Sequence, residues 1–210
     1  MGVRLYAQKG SDTAVTVDYA KKTGGNYKVV FKSKHPFCYM GFSGGINNPS
    51  GMLGFDVNIP QKNYGMIGAG LGFSTWGNKA HADYRHFFGK NHLGWSLLGG
   101  LAVNSGVYNF RAKLRTMNHT REPVTINMDP TQTIFLGASH YSKIGRSNNR
   151  FFVNLGWNFP LLPPNYHITY NGPDLSNSGS RYLGLRKPGG PMAGIGVLFG
   201  LYHYSSHKAL

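Results

Sequence analysis

Residues 191–206, PMAGIGVLFGLYHYSS, alternate between two kinds of side chain. Ala193, Ile195, Val197, Phe199 and Leu201 share one face; Gly194, Gly196, Leu198, Gly200 and Tyr202 share the other. Residues 64–75 repeat the pattern, with Ile67, Ala69, Leu71 and Phe73 opposite Met66, Gly68, Gly70, Gly72 and Ser74. Residues 150–159 set Phe151, Val153, Leu155, Trp157 and Phe159 against Arg150, Phe152, Asn154, Gly156 and Asn158. A period of two predicts strands. Eight such segments occur, at roughly 37–47, 52–59, 64–75, 80–88, 94–104, 133–142, 150–159 and 192–204. In all eight the bulkier face lacks Lys, Arg, Asp and Glu, while Asp56, His81, Asp83, Arg85, Arg150, Asn154 and Asn158 fall on the other.

Barrel geometry decides which face points inward. An eight-stranded barrel is just wide enough for side chains to fill, so about four large apolar residues per strand cannot all enter it. They point outward, and an outward face bare of charge calls for hydrocarbon around it. The pattern predicts an all-β, eight-stranded, antiparallel, up-and-down transmembrane β-barrel with a filled, non-conducting interior. A lipocalin-like soluble barrel would need charge on the face that is here largely glycine. Most segments also approach the nine to eleven residues that a tilted strand needs to cross a bilayer.

Connection lengths give a second line of argument. Links 2–3, 4–5 and 6–7 are short, whereas 5–6 (about 105–132) and 7–8 (about 160–191) are long and lie at the same end of an up-and-down barrel. Within link 5–6, RAKLR alternates too and extends strands 5 and 6 as a hairpin. Link 7–8 contains NGPDLSNSGSRYLGLRKPGG, which reads as the most flexible segment. Residues 1–35 stand apart: a strand, a Gly-Gly turn and a Lys-rich second strand predict a periplasmic segment or hairpin, with the barrel at 36–210. Adding that hairpin to the barrel would make ten strands.

Charged residues are 14% of the 210, against about 25% in ordinary globular domains. The 22 Lys and Arg against 7 Asp and Glu give a net charge of +15, which favours anionic partners. A nucleic acid is not expected, because the cations sit in the tail and loops and no binding motif accompanies them. The single cysteine, Cys38, excludes an intrachain disulfide. No run of 18 apolar residues forms a transmembrane helix. The opening MGVRLYAQKG has no apolar signal core, so the chain is expected either to remain inside the cell or to begin after a removed signal.

The stretches FSGGINNPSGMLGFDVNIP, GMIGAGLGFSTWGNKAHADYRHFFG, GWSLLGGLAVNSG, TQTIFLGASHYSKIG and NRFFVNLGWNFPL, with the glycine-rich last strand, cover about 36–204. In style, order and turn placement the chain resembles the small outer-membrane β-barrels abundant in Bacteroidota, of the OmpA, OmpW or PorT type. The resemblance implies the outer membrane of a Gram-negative bacterium with periplasmic termini, and a structural or accessory role beside a larger outer-membrane or periplasmic protein.

Candidate chemistry follows from the faces. Asp56, His81, Asp83, Arg85, Arg150 and Asn154 are expected to form a charge network in the lumen, since charges in a closed barrel must be paired. Arg111, Lys113, Arg115, Arg121, Arg181, Arg186 and Lys187 lie in the long loops and suit lipopolysaccharide phosphates or a partner protein. His140 and Ser142, two apart on one strand face, resemble the His-x-Ser pair of outer-membrane lipid A deacylases and form the alternative, enzymatic reading; His203 and Ser205 repeat the spacing. The expected catalytic residue count is none. No His-x-x-x-His or His-carboxylate cluster has ligand spacing, so no metal and no cofactor are expected. Tyr64, Trp76, Tyr84, Trp95, Trp157 and Tyr204 fall near strand ends, where an interfacial aromatic belt belongs.

Overall fold

The computed structural model describes residues 16–23, 26–32, 35–61, 64–118, 120–145, 147–169, 175–202 and 204–209. Eight strands close into an antiparallel barrel. In chain order they are β3 (Cys38–Ile46), β4 (Leu53–Pro60), β5 (Gly65–Ser74), β6 (Gly77–Phe87), β7 (Gly94–Asn104), β10 (Thr131–Lys143), β11 (Arg150–Pro160) and β13 (Gly190–Leu201). Each expected segment corresponds to one barrel strand. β6 begins three residues earlier than the hydrophobic pattern suggests, because Ser74 and Gly77 already pair across a tight turn. Gly77 sits there at φ 91°, a conformation that favours glycine, and the Ser74 hydroxyl donates to the Gly77 carbonyl at 3.0 Å.

The first two strands, β1 (Thr16–Thr23) and β2 (Asn26–Lys32), form a hairpin, and β14 (Tyr204–Ala209) pairs antiparallel with β2. These three make a separate sheet of order β1-β2-β14, so the barrel closes at eight strands and the ten-stranded alternative does not hold. The barrel's last strand ends at Leu201, not at 204, and residues 204–209 join the N-terminal hairpin's sheet.

Inside and outside alternate around the barrel as the physical argument requires. Phe42, Phe55, Leu71, Phe73, Leu97, Leu101, Leu136, Leu155, Ile195 and Phe199 are exposed on the outer face. The interior is layered. At the short-turn end Tyr39, Met66, Phe87, Tyr141, Phe152 and Leu198 form an apolar plug, in which Tyr141 stacks on Phe152 with centroids 5.2 Å apart. Above it lie the lumen charges, and Leu98, Ala102, Phe135 and Met192 pack as a further apolar cluster. At the long-loop end the β3–β4 connection turns into the barrel and buries Asn48 and Ser50.

A third sheet, of order β12-β9-β8, is built from β8 (Val107–Arg115), β9 (Arg121–Met128) and β12 (Tyr166–Thr169). β8 and β9 continue β7 and β10 as a hairpin. A helix, α1 (Asn177–Arg186), arises within the segment that reads as flexible. Ser176 caps it, its hydroxyl accepting from the Gly179 amide at 3.4 Å, and Leu183 supplies the apolar anchor. Serine and glycine give α1 little intrinsic helix preference, so packing forms it. Leu183 enters a second core with Leu114, Val124, Ile126, Met128 and Trp76. Trp76 is 1% exposed and its indole Nε1 donates to the Asp129 carbonyl at 2.6 Å. Trp76 is therefore a core residue of this cap and not a member of an outer aromatic belt.

Trp76→Ala is expected to cost about 3–5 kcal/mol of cap stability. Amide hydrogen exchange over residues 107–128 should accelerate while protection of the eight barrel strands persists.

Candidate functional site

Alternation along β6 directs Lys79, His81, Asp83 and Arg85 inward in one column. From β4, Asp56 and Asn58 point into the same space, and both are about 2% exposed or less. Between the two strands runs β5, whose register sets Gly68 beside both Asn58 and Asp83, and Gly70 beside both Asp56 and His81. The glycines leave the gap that the charged side chains cross. A Cβ at Gly68 would stand 2.7 Å from both Asp83 carboxylate oxygens and 2.8 Å from Asn58 Oδ1.

Across that gap Arg85 Nη2 donates to Asp83 Oδ2 at 3.0 Å, and Arg85 Nη1 donates to Asn58 Oδ1. His81 Nε2 lies 3.2 Å from Asp83 Oδ2 and 3.5 Å from Asp56 Oδ1. Asp56 also accepts from the Ser50 hydroxyl, which in turn accepts from Ser43 at 2.9 Å. On its other side the Arg85 guanidinium lies 5.8 Å from the ring centroids of both Tyr141 and Phe152. One chain of contacts thus links the β3–β4 connection, β4, β6 and the apolar plug. It is a buried, paired polar bridge that holds the wall around a narrow lumen.

Asp56, His81, Asp83 and Arg85 meet as a cluster; Arg150 and Asn154 lie elsewhere in the interior. Arg150 donates to the His92 carbonyl at 2.6 Å and the Asn91 carbonyl at 2.8 Å, and its guanidinium lies 4.2 Å from the Tyr39 ring centroid. It ties the β6–β7 turn to the base of the barrel. Asn154 donates to Asn48 Oδ1 at 3.3 Å and steadies the inturned connection. Among the described residues no three His, Cys, Asp or Glu side chains are arranged to hold a metal ion.

The outer face carries a different chemistry. No outward position of the barrel strands is Lys, Arg, Asp or Glu. Polar outward residues appear at the margins: Asn78 and Gln132 toward the long loops, His86, His140 and Ser142 toward the short turns. Tyr84, Trp95 and Trp157 are about half exposed on this face, at 50%, 55% and 49%. Tyr64 instead packs against the interior plug, and the Tyr204 side chain lies outside the described residues. His140 meets Trp95 edge-on with centroids 5.0 Å apart, and Ser142 is exposed near the end of β10. Among the described residues no carboxylate forms an ion pair with His140. His203 and the side chain of Ser205 lie outside the described residues.

In the cap, Arg111, Lys113, Arg115 and Arg121 are all exposed, and Arg115 stands directly across the β8–β9 ladder from Arg121. Arg181 is exposed on α1, and Lys187 Nζ lies 4.8 Å from the Tyr166 ring centroid. The Arg186 side chain lies outside the described residues.

Sequence patterning overlooked Lys79, Asn48, Ser50 and Tyr141. Lys79 shares parity with His81 and Asp83, so lengthening that strand by one residue would have found it. Asn48 and Ser50 gave no signal, because a turn folding inward looks like any other turn. No family model, curated protein or solved structure matches the chain. What it shares with small outer-membrane barrels is the closed, eight-stranded, antiparallel architecture.

Asp83→Ala, which leaves Arg85 buried without its carboxylate, is expected to cost about 3–5 kcal/mol; Asp83→Leu with Arg85→Met is expected to recover most of that loss. Unfolding by denaturant of the two variants and the parent checks both.

Proposed function

We propose that the protein is an integral outer-membrane β-barrel with a filled, non-conducting interior, serving as a structural or accessory subunit. One observation carries the reading: the barrel's outer belt is apolar and uncharged while its charges are inside. From Trp95 to Val103 on β7 the belt spans eight residue steps. At about 3.4 Å per step and a tilt of about 40° it stands about 20 Å tall, close to the apolar band of about 25 Å on outer-membrane barrels. A water-soluble barrel of the same size would carry a belt of exposed Leu, Ile and Phe far larger than the patches of a few hundred Å² usual on monomers. The packed interior leaves a support function, since open aqueous channels belong to barrels of about 16 strands.

The cap supplies the docking face. Arg111, Lys113, Arg115 and Arg121 project from one hairpin, and among the described residues none forms an ion pair. Like charges opposed across a ladder repel, and phosphates of lipopolysaccharide, or acidic groups of an outer-membrane partner, would relieve that repulsion through forked hydrogen bonds. Residues 1–35 would then be available to periplasmic proteins. The hydrolase alternative, with His140 and Ser142, is tested by Ser142→Ala: unchanged acyl content of lipid A retires it.

Leu136, in the middle of β10 and 56% exposed, discriminates between lipid and water. In a bilayer Leu136→Arg should cost about 2–4 kcal/mol; for a surface in water the same change stays within about 0.5 kcal/mol. Reversible unfolding from lipid vesicles measures it. Arg115→Gln with Arg121→Gln should weaken lipopolysaccharide binding about tenfold or more, read by titration calorimetry.

A further inference from the structure

Lys79 is a lumen charge with no partner of opposite sign among the described residues. It lies at the long-loop end of β6, is 4% exposed, and its Nζ donates to the Asn48 carbonyl at 2.8 Å. Among the described residues no carboxylate lies within ion-pair distance of it; Asp56 and Asp83 are committed to Ser50, His81 and Arg85. A buried ammonium has three donors, and burial without a counter-charge is unfavourable.

Lys79 forms part of the wall of a cavity of about 470 Å³, which reaches the exterior beside the exposed Ile46 and Met52. That volume falls within the roughly 300–1,000 Å³ of small-molecule sites. Among the described residues of the wall Lys79 carries the only charge; Ile46, Met52, Trp76 and Pro188 are apolar, and Ser74, Asn104, Thr133 and Asn158 are neutral and polar. Two of those groups are unpartnered. Thr133 Oγ1 and Asn158 Oδ1 make no hydrogen bond, although both residues are 1% exposed. Asn158 Nδ2, by contrast, is engaged by the Asn47 carbonyl, and Asn104 by Ser74 and the Thr131 carbonyl.

We propose that this cavity binds a small hydroxylated carboxylate, of the class of the sugar acids. One cation matches a monoanion. The carboxylate would accept from Lys79 Nζ and the Thr133 hydroxyl, and a ligand hydroxyl would donate to Asn158 Oδ1. A phosphate dianion lacks a second cation here, and a neutral sugar would leave the ammonium uncompensated. The site sits in the barrel mouth, so the inference stands apart from whether lipid surrounds the belt.

The test is titration calorimetry on the purified full chain with D-glucuronate, D-glucose and inorganic phosphate. The parent should bind glucuronate at least about tenfold more tightly than glucose or phosphate, and glucuronate should raise its Tm. Lys79→Gln should erase both the preference and the Tm response while leaving the ligand-free Tm equal or higher. Thr133→Val keeps the charge and should weaken glucuronate alone; it carries the test if Lys79→Gln does not fold. Equal binding of glucuronate and glucose, tighter binding of phosphate, or a preference that survives Lys79→Gln would overturn the proposal.

Discussion

The narrowness of an eight-stranded barrel constrains everything else in this chain. Side chains can be large on only one face of each strand, and the lumen admits only a few of them. The bulky face therefore lies outside and the inner face is thinned to glycine wherever a long side chain must cross. Gly68 and Gly70 show the consequence most directly. They vacate the wall between β4 and β6, so Asp56, Asn58, His81, Asp83 and Arg85 can meet over a strand that contributes no side chain of its own.

The same constraint explains why polar groups share the middle of the barrel with only a small apolar cluster of Leu98, Ala102, Phe135 and Met192. A cluster of two carboxylates, a guanidinium and an imidazole is held tightly only where its partners are fixed, and here each reaches the others from a rigid strand. The apolar plug beneath it packs into the lumen with rings that also face Arg85. At the other end the wall continues upward as the β8–β9 hairpin, and Trp76, rising from a tight turn, joins that hairpin to α1 through Leu183. The barrel and its cap thus change in character by height: an aromatic base, a cross-linked centre, a mouth that holds Lys79 and a basic cap.

Much of this was legible in the order of residues, and what was not has physical causes. The eight strands can be read because alternation has a period of two and runs through most of each strand's length. Face assignment follows from volume, so the residue order alone puts Asp56, His81, Asp83 and Arg85 together on the inner face. Arg150 and Asn154 share their parity but not their height, and parity says nothing about height. Trp76 reads as a belt residue because it lies near a strand end; its burial depends on α1, which begins about 100 residues later and lacks a helical pattern of its own. Lys79 was missed through a strand boundary, and the inward fold of Asn48 and Ser50 through a turn whose direction tertiary packing decides.

In the proposed setting the outward apolar belt meets acyl chains. The chain has three tryptophans, and Trp76→Phe leaves Trp95 and Trp157 on the belt as reporters. After reconstitution into vesicles, lipids brominated along their acyl chains should quench that fluorescence strongly and aqueous iodide weakly. Strong quenching by iodide with indifference to the brominated lipids would put the belt in water and rule out the membrane setting.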